Sequence, residues 1–134
     1  DARRLGAHHF LLLSDTDALQ QAAERFDCIL DTVSGSHDLN QLLGLIRLDG
    51  TLILVGVPPE APQVHPFSLI PRRRTVAGSM NGGIKETQEM LDFCAANNIV
   101  SDVEMINPAQ INVAYERMLR GDVRYRFVID LIAS

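Results

Sequence analysis

Only two cysteines stand among the 134 residues, Cys28 and Cys94. Two isolated thiols make neither a disulfide framework nor a zinc knuckle. Both sit in apolar segments, where buried and inert thiols are expected, and a reducing cytoplasm is the simplest compartment. No apolar run approaches the roughly 18 residues of a membrane span. No charged start leads into an apolar stretch with a small-residue cleavage site, so neither a membrane nor a secretory leader is expected. Basic charge is short as well: 12 Lys and Arg against 17 Asp and Glu leave a net charge of −5. That argues against nucleic acid, which needs a basic face. The sequence also lacks G-x-G-x-x-G, a P-loop and G-x-S-x-G. His8, His9, His37 and His65 stand without further ligands at metal spacing.

What is present is ordinary globular chemistry: 46% apolar and 22% charged residues, in a chain long enough for one domain with a real core. Short apolar runs alternate with helical patterns. Residues 2–6 read as a last helical turn stopped by Gly6. The run 9–13, HFLLL, is a candidate strand. Ser14 or Asp15 can cap a helix reaching about Arg25. The run 27–33 is a strand broken by Asp31, and a helix of about 37–47 follows with Leu39, Leu42, Leu43 and Ile46 on its face. Asp49-Gly50 turns into TLILVGV, 51–57, apolar on both faces as in a buried parallel strand. Another strand covers 74–79. A helix covers about 85–97, with Met90, Leu91, Phe93 and Cys94 on its face. Pro108 opens a further helix, and a last strand covers 125–131. Alternation at this spacing predicts an α/β fold with a doubly wound parallel sheet.

In such a sheet, ligands bind at the carboxyl ends of the strands. Three ends carry glycine turns: Asp31-Thr32-Val33-Ser34-Gly35, Val55-Gly56-Val57-Pro58, and Gly78-Ser79-Met80-Asn81-Gly82-Gly83. Each alone is an ordinary turn; three on adjacent strands predict a crevice for a flat ligand. Arg126, inside an apolar strand, either snorkels to water or meets a phosphate. Arg72-Arg73-Arg74 reads as a solvated or interface loop rather than a phosphate site. Lys85 and Glu89 are spaced for an ion pair. Met90 and Met118 are expected in the core.

Three segments carry a family resemblance. DTVSGSHDLNQLLGLIRLDGTLILVGVPP, RTVAGSMNGGIKETQEMLDFCAANNI and INVAYERMLRGDVRYRFVIDL closely resemble the C-terminal part of zinc-dependent alcohol dehydrogenases. The resemblance is to the cinnamyl-alcohol-dehydrogenase-like branch and spans essentially the whole chain. It implies the second half of a Rossmann-type sheet in residues 1–80, a partial dinucleotide-binding domain. It implies a helix–helix–strand segment in 81–134 that returns to the family's catalytic domain. With the family order 3-2-1-4-5-6, the strand at 9–13 is the third, and those at 27–33, 51–57 and 74–79 are the fourth to sixth. Strand 9–13 is then expected apart from 27–33, or bonded directly to it in a rearranged domain.

The resemblance also implies roles. Thr32 and Val33 would lie on the cofactor's adenosine side. Val55, Gly56 and Val57 would pass under the nicotinamide, and Ser79, Met80 and Asn81 would contact its carboxamide. Arg126 would lie near the pyrophosphate. Pro66, Leu69, Ile70 and Met80 would line an aldehyde pocket, with Asn81 in place of the usual apolar residue. The implied cofactor is NADP, the implied partner an alcohol or aldehyde, and the implied assembly a homodimer through strand 74–79. The family's zinc ligands, glycine fingerprint and phosphate clamp lie upstream of these segments. The chain is therefore expected to be a C-terminal part that is inactive alone. A non-catalytic dimerisation or nucleotide-binding half-domain is the competing reading. A zinc-free quinone-reductase-like relative is a weaker one, against which KETQEMLDF speaks.

Overall fold

The computed structural model describes residues 1–132. The chain divides into two compact units, one from Asp1 to Asn81 and one from Gly82 onward.

The first unit is built on a parallel sheet of β1 (Phe26–Asp31), β2 (Ile46–Leu54) and β3 (Thr75–Gly78), in the order β1-β2-β3. Parallel neighbours need a crossover, and α2 (Leu39–Leu45) supplies the first. Asp38 caps this helix by accepting the Asn40 backbone N–H at 2.8 Å. Leu39, Leu42 and Leu43 of α2 join Ile46 and Leu52 in the core, with Ile29, Leu54, Val64, Leu69 and Val76 packed against them. The predicted apolar face of this helix is therefore its buried face. β2 starts earlier than 51 because Ile46 already pairs with Phe26, before a bulge that brings Thr51 opposite Cys28. The expected Asp49-Gly50 turn lies inside that bulge, with Asp49 at φ 63°.

Register settles which residues share a face. Ile29, Leu52 and Val76 stand side by side, as do Leu30, Ile53 and Ala77. Only the first row meets α2. Leu30 on the second is 60% exposed, and Cys28 on the same face is exposed. The expectation of a buried Cys28 fails for this reason: an apolar strand is covered on both sides only when something packs on both.

Residues 9–13 do not form a strand. Among the described strands β1 pairs only with β2, so neither expected arrangement of a 9–13 strand occurs. A strand without a partner leaves its backbone groups unsatisfied. Here the segment runs as a loop into α1 (Thr16–Gln21). The Leu13 carbonyl accepts from Gln41, and Asp15 Oδ1 caps the helix through Ala18 N–H at 3.0 Å. This helix ends short of Arg25, with Glu24 at φ 56°.

The Arg72–Arg74 run is solvated at Arg72 and Arg73, as expected, but all three are paired and Arg74 is buried at its side chain. Arg72 pairs with Glu24 at 2.6 Å, and Arg73 makes a two-pronged pair with Asp49 at 2.6 and 2.8 Å. Arg74, its side chain only 7% exposed, donates to the carbonyls of Ile46 at 2.7 Å and Ser68 at 3.0 Å. Arg73 and Arg74 tie the segment entering β3 to the first half of β2, and Arg72 ties it to the turn before β1.

The second unit holds α3 (Ile84–Ala96), a parallel pair of β4 (Glu104–Ile106) and β5 (Phe127–Ile129), and α4 (Ile111–Leu119). Lys85 and Glu89 pair at 3.7 Å as their spacing predicts. No residue of α3 is buried, so Met90 is half-exposed and Cys94 only partly covered. Met118 is half-exposed too. These core expectations fail because, among the described residues, nothing buries the apolar stripe of α3, and on α4 cover reaches Ala114 and Ile111 but not Met118. β4 is three residues long, too short for a period-2 signal. Arg117 anchors this unit: it pairs with Glu104 at 2.8 Å and Asp122 at 3.0 Å, and its guanidinium lies 4.9 Å from the Phe127 ring centre.

Candidate functional site

The carboxyl ends of β2 and β3 frame an open groove of about 670 Å³. Val55, Gly56 and Val57 form one wall, and Gly78, Ser79, Met80 and Asn81 the other. β2 and β3 are adjacent and parallel, so both loops leave the sheet on the same side. Val57 and Met80 are 82% and 89% exposed, which makes the groove apolar on its walls. Ser79 N–H donates to Leu54 O at 3.1 Å and fixes the second loop. Among the described residues no protein group takes the backbone N–H of Val57, Met80 or Asn81. An apolar slot edged by open backbone donors suits a flat heteroaromatic ring bearing a carboxamide, so the residues present fit a nicotinamide.

The Val55–Gly56 wall is held from behind by Asp31. Its carbonyl accepts the N–H groups of Val55 at 2.9 Å and Gly56 at 3.2 Å. Its carboxylate accepts the N–H of Val33 at 3.0 Å and contacts His37 at 2.8 Å. Gly56 lies hard against the 32–33 turn: a β-carbon there would overlap the Val33 carbonyl oxygen and stand 2.6 Å from its carbon. The glycine serves the close approach of two backbone segments, whatever occupies the groove.

The structure thus gathers Val55, Gly56, Val57, Ser79, Met80 and Asn81 along one groove, with Thr32 and Val33 joined to it through Gly56. It does not bring Pro66, Leu69 or Ile70 to the groove's lining. Leu69 packs on the core, while Pro66 and Ile70 sit in two short 3₁₀ turns and are exposed. Arg126 belongs to the second unit, where it precedes β5 rather than lying within a strand. It lines an apolar cavity of about 280 Å³ with Tyr115, Met118 and Phe127.

His37 is the residue that sequence reasoning missed. It reads as isolated along the chain, yet the β1–α2 turn folds it back onto Asp31. The signal was an Asp closing a strand and a His six residues on, just before a helix cap. The Gly35 carbonyl, then the hydrogen bond and charge of Asp31, raise His37 above the ordinary imidazole range, against partial burial.

A metal does not fit these residues. Among the described residues no three His, Cys, Asp or Glu side chains gather as a ligand set. Nor is any helix among them long and apolar enough to cross a membrane.

Comparison with known proteins gives a consistent answer. The family described as "Zinc-binding dehydrogenase" matches residues 1–96. Alcohol dehydrogenase 9 of Catharanthus roseus is 52% identical over 128 residues, covering 96% of this chain and 36% of its own length. Aldehyde reductase YahK of Escherichia coli is 53% identical over 132 residues, covering 96% and 37%. A cinnamyl alcohol dehydrogenase structure from Sorghum bicolor superposes with a TM-score of 0.92 at 37% identity, over 99% of this chain and 38% of that one. The Helicobacter pylori enzyme complexed with NADP(H) gives 0.73 at 39% identity, over 87% and 34%. The chain spans under two-fifths of the length of these relatives. With that match over most of its length, the chain belongs to the zinc-binding dehydrogenase family.

Proposed function

We propose that this chain supplies part of the cofactor and substrate walls of an oxidoreductase that moves hydride between NADP(H) and an alcohol–aldehyde pair. The observation that carries the reading is the groove where β2 and β3 end, apolar in its walls and edged by unpaired backbone N–H groups. The relatives named above are alcohol dehydrogenases and an aldehyde reductase, and one solved neighbour is complexed with NADP(H).

When bound, the nicotinamide would supply the hydride. The residues here would bind and orient it. Val55, Gly56 and Val57 would lie along one face of the ring. The backbone of Ser79, Met80 and Asn81 would meet the carboxamide. Thr32 and Val33 would border the adenosine side. Met80 lines the same groove and would form part of the substrate wall. No zinc step is assigned to these residues, because the ligand set is not among them.

The partner copy would add through β3. Its outer edge is unpaired among the described strands, and a free edge without proline pairs readily with another. A homodimer in the cytoplasm is the proposed setting.

Titrating the complete gene product with NADPH, followed by nicotinamide fluorescence, tests the reading. Saturable binding that is weakened by Met80→Glu supports it. Binding untouched by a charge in the groove overturns it. The 134-residue chain alone is expected to give no turnover of NADPH with an aromatic aldehyde.

A further inference from the structure

Asp31 is the buried charged residue among those described, and its carboxylate is satisfied within the β1–α2 turn. One carboxylate oxygen takes the Val33 N–H at 3.0 Å, and the other lies 2.8 Å from His37 Nε2. His37 Nδ1 lies 2.8 Å from the Gly35 carbonyl oxygen. A carbonyl only accepts, and so does an ionised carboxylate. Both contacts are therefore made at once, opposite an ionised Asp31, when both ring nitrogens donate, that is, in the imidazolium form. The other titratable groups facing it are acids: Asp38 at the cap of α2, and Glu60, which lines a small cavity beside it with Pro58 and Pro62.

We propose that His37 is a positioning residue, whose imidazolium clamps Asp31 and Gly35 and so holds the Thr32–Val33 turn against Gly56 in the wall of the groove. The ligand named here, a nicotinamide dinucleotide, rests on the function proposed above; the clamp itself does not. Losing the proton removes one of the two donations. The neutral ring keeps its remaining N–H toward the Asp31 carboxylate, the stronger acceptor, so the Gly35 carbonyl loses its donor and the bond to Asp31 loses its charge assistance, which loosens the 32–35 turn. Because Val33 and Gly56 are in backbone contact, loosening one loosens the other, and the wall that Gly56 contributes goes with it.

Two measurements on the complete gene product separate the clamp from the ligand. In the first, histidine and amide resonances are followed by NMR across the pH range. The expected result is a His37 titration above the usual imidazole range, with the Val33 and Gly56 amides shifting at the same midpoint. Loop amides that ignore this titration, or a His37 that titrates at or below the ordinary value, overturn the inference. In the second, the NADPH dissociation constant is compared between wild type and His37→Gln, which keeps a neutral donor and does not titrate. Affinity of the wild type is expected to fall about three- to tenfold as pH rises through the His37 midpoint, relative to the variant. A constant ratio between the two proteins overturns the link from clamp to groove. Absence of NADPH binding at every pH overturns the dinucleotide reading, while the first measurement still decides the clamp.

Discussion

The backbone of Gly56 lies against the carbonyl of Val33 so closely that a β-carbon on Gly56 would stand 2.6 Å from the Val33 carbonyl carbon and 3.0 Å from that of Thr32. The atoms it would meet are backbone and cannot swing aside. Gly56→Ala should therefore cost about 1–3 kcal/mol of stability even with the groove empty. Urea unfolding of the variant without cofactor checks this. An unchanged midpoint would show that the turn can move away freely.

The three arginines before β3 should differ sharply in value. Arg73 and Asp49 are both more than half exposed, and Arg73→Ala should cost under about 1 kcal/mol. Arg74→Met would strip the Ile46 and Ser68 carbonyls of their shared donor in a part-buried site. It should cost about 2–3 kcal/mol. Equal losses in the two variants would refute the assignment of Arg74 as the structural member of the run.

Self-association through β3 has a backbone-level test. Ser79 N–H points to β2, where it meets Leu54 O. Alternation then turns the N–H groups of Val76 and Gly78 to the free edge. Gly78→Pro removes an edge donor and leaves those facing β2 in place. Sedimentation should show a dimer in the wild type and a monomer in this variant. A variant that stays dimeric excludes this edge as the interface.

Stability should depend on pH through His37. Its folded pKa is raised above the unfolded value. The contribution is then complete below the unfolded pKa and is lost as pH rises through the folded one. The difference in urea midpoint between wild type and His37→Gln should shrink on going from mildly acidic to alkaline solution. A difference that grows in that direction would reverse the sign of the linkage.

Some of this was legible along the chain because it depends on spacing alone. The 3.6-residue period of Leu39, Leu42, Leu43 and Ile46 marked the face of α2, and the core lies there. The run at 51–54, and the glycines following β2 and β3, marked the strand ends that frame the groove. Resemblance named the family, since its motifs are local strings. Other features depend on what lies across space. HFLLL has a strand's composition, but it forms none, because a strand exists only by pairing. Cys28, Met90 and Met118 are apolar enough for a core, yet burial needs a second surface, which the open sheet face, α3 and the Met118 end of α4 do not receive. Arg72 to Arg74 read as a solvated run, which holds for Arg72 and Arg73, but the pairs with Glu24 and Asp49 and the burial of Arg74 on two carbonyls come from the fold. His37 shows the division most clearly. The sequence placed it six residues after Asp31, a spacing that does not by itself set a contact. The tertiary fold turned the chain between strand and helix, brought the ring to 2.8 Å from the buried carboxylate, and made a charged clamp because a buried acid must be satisfied.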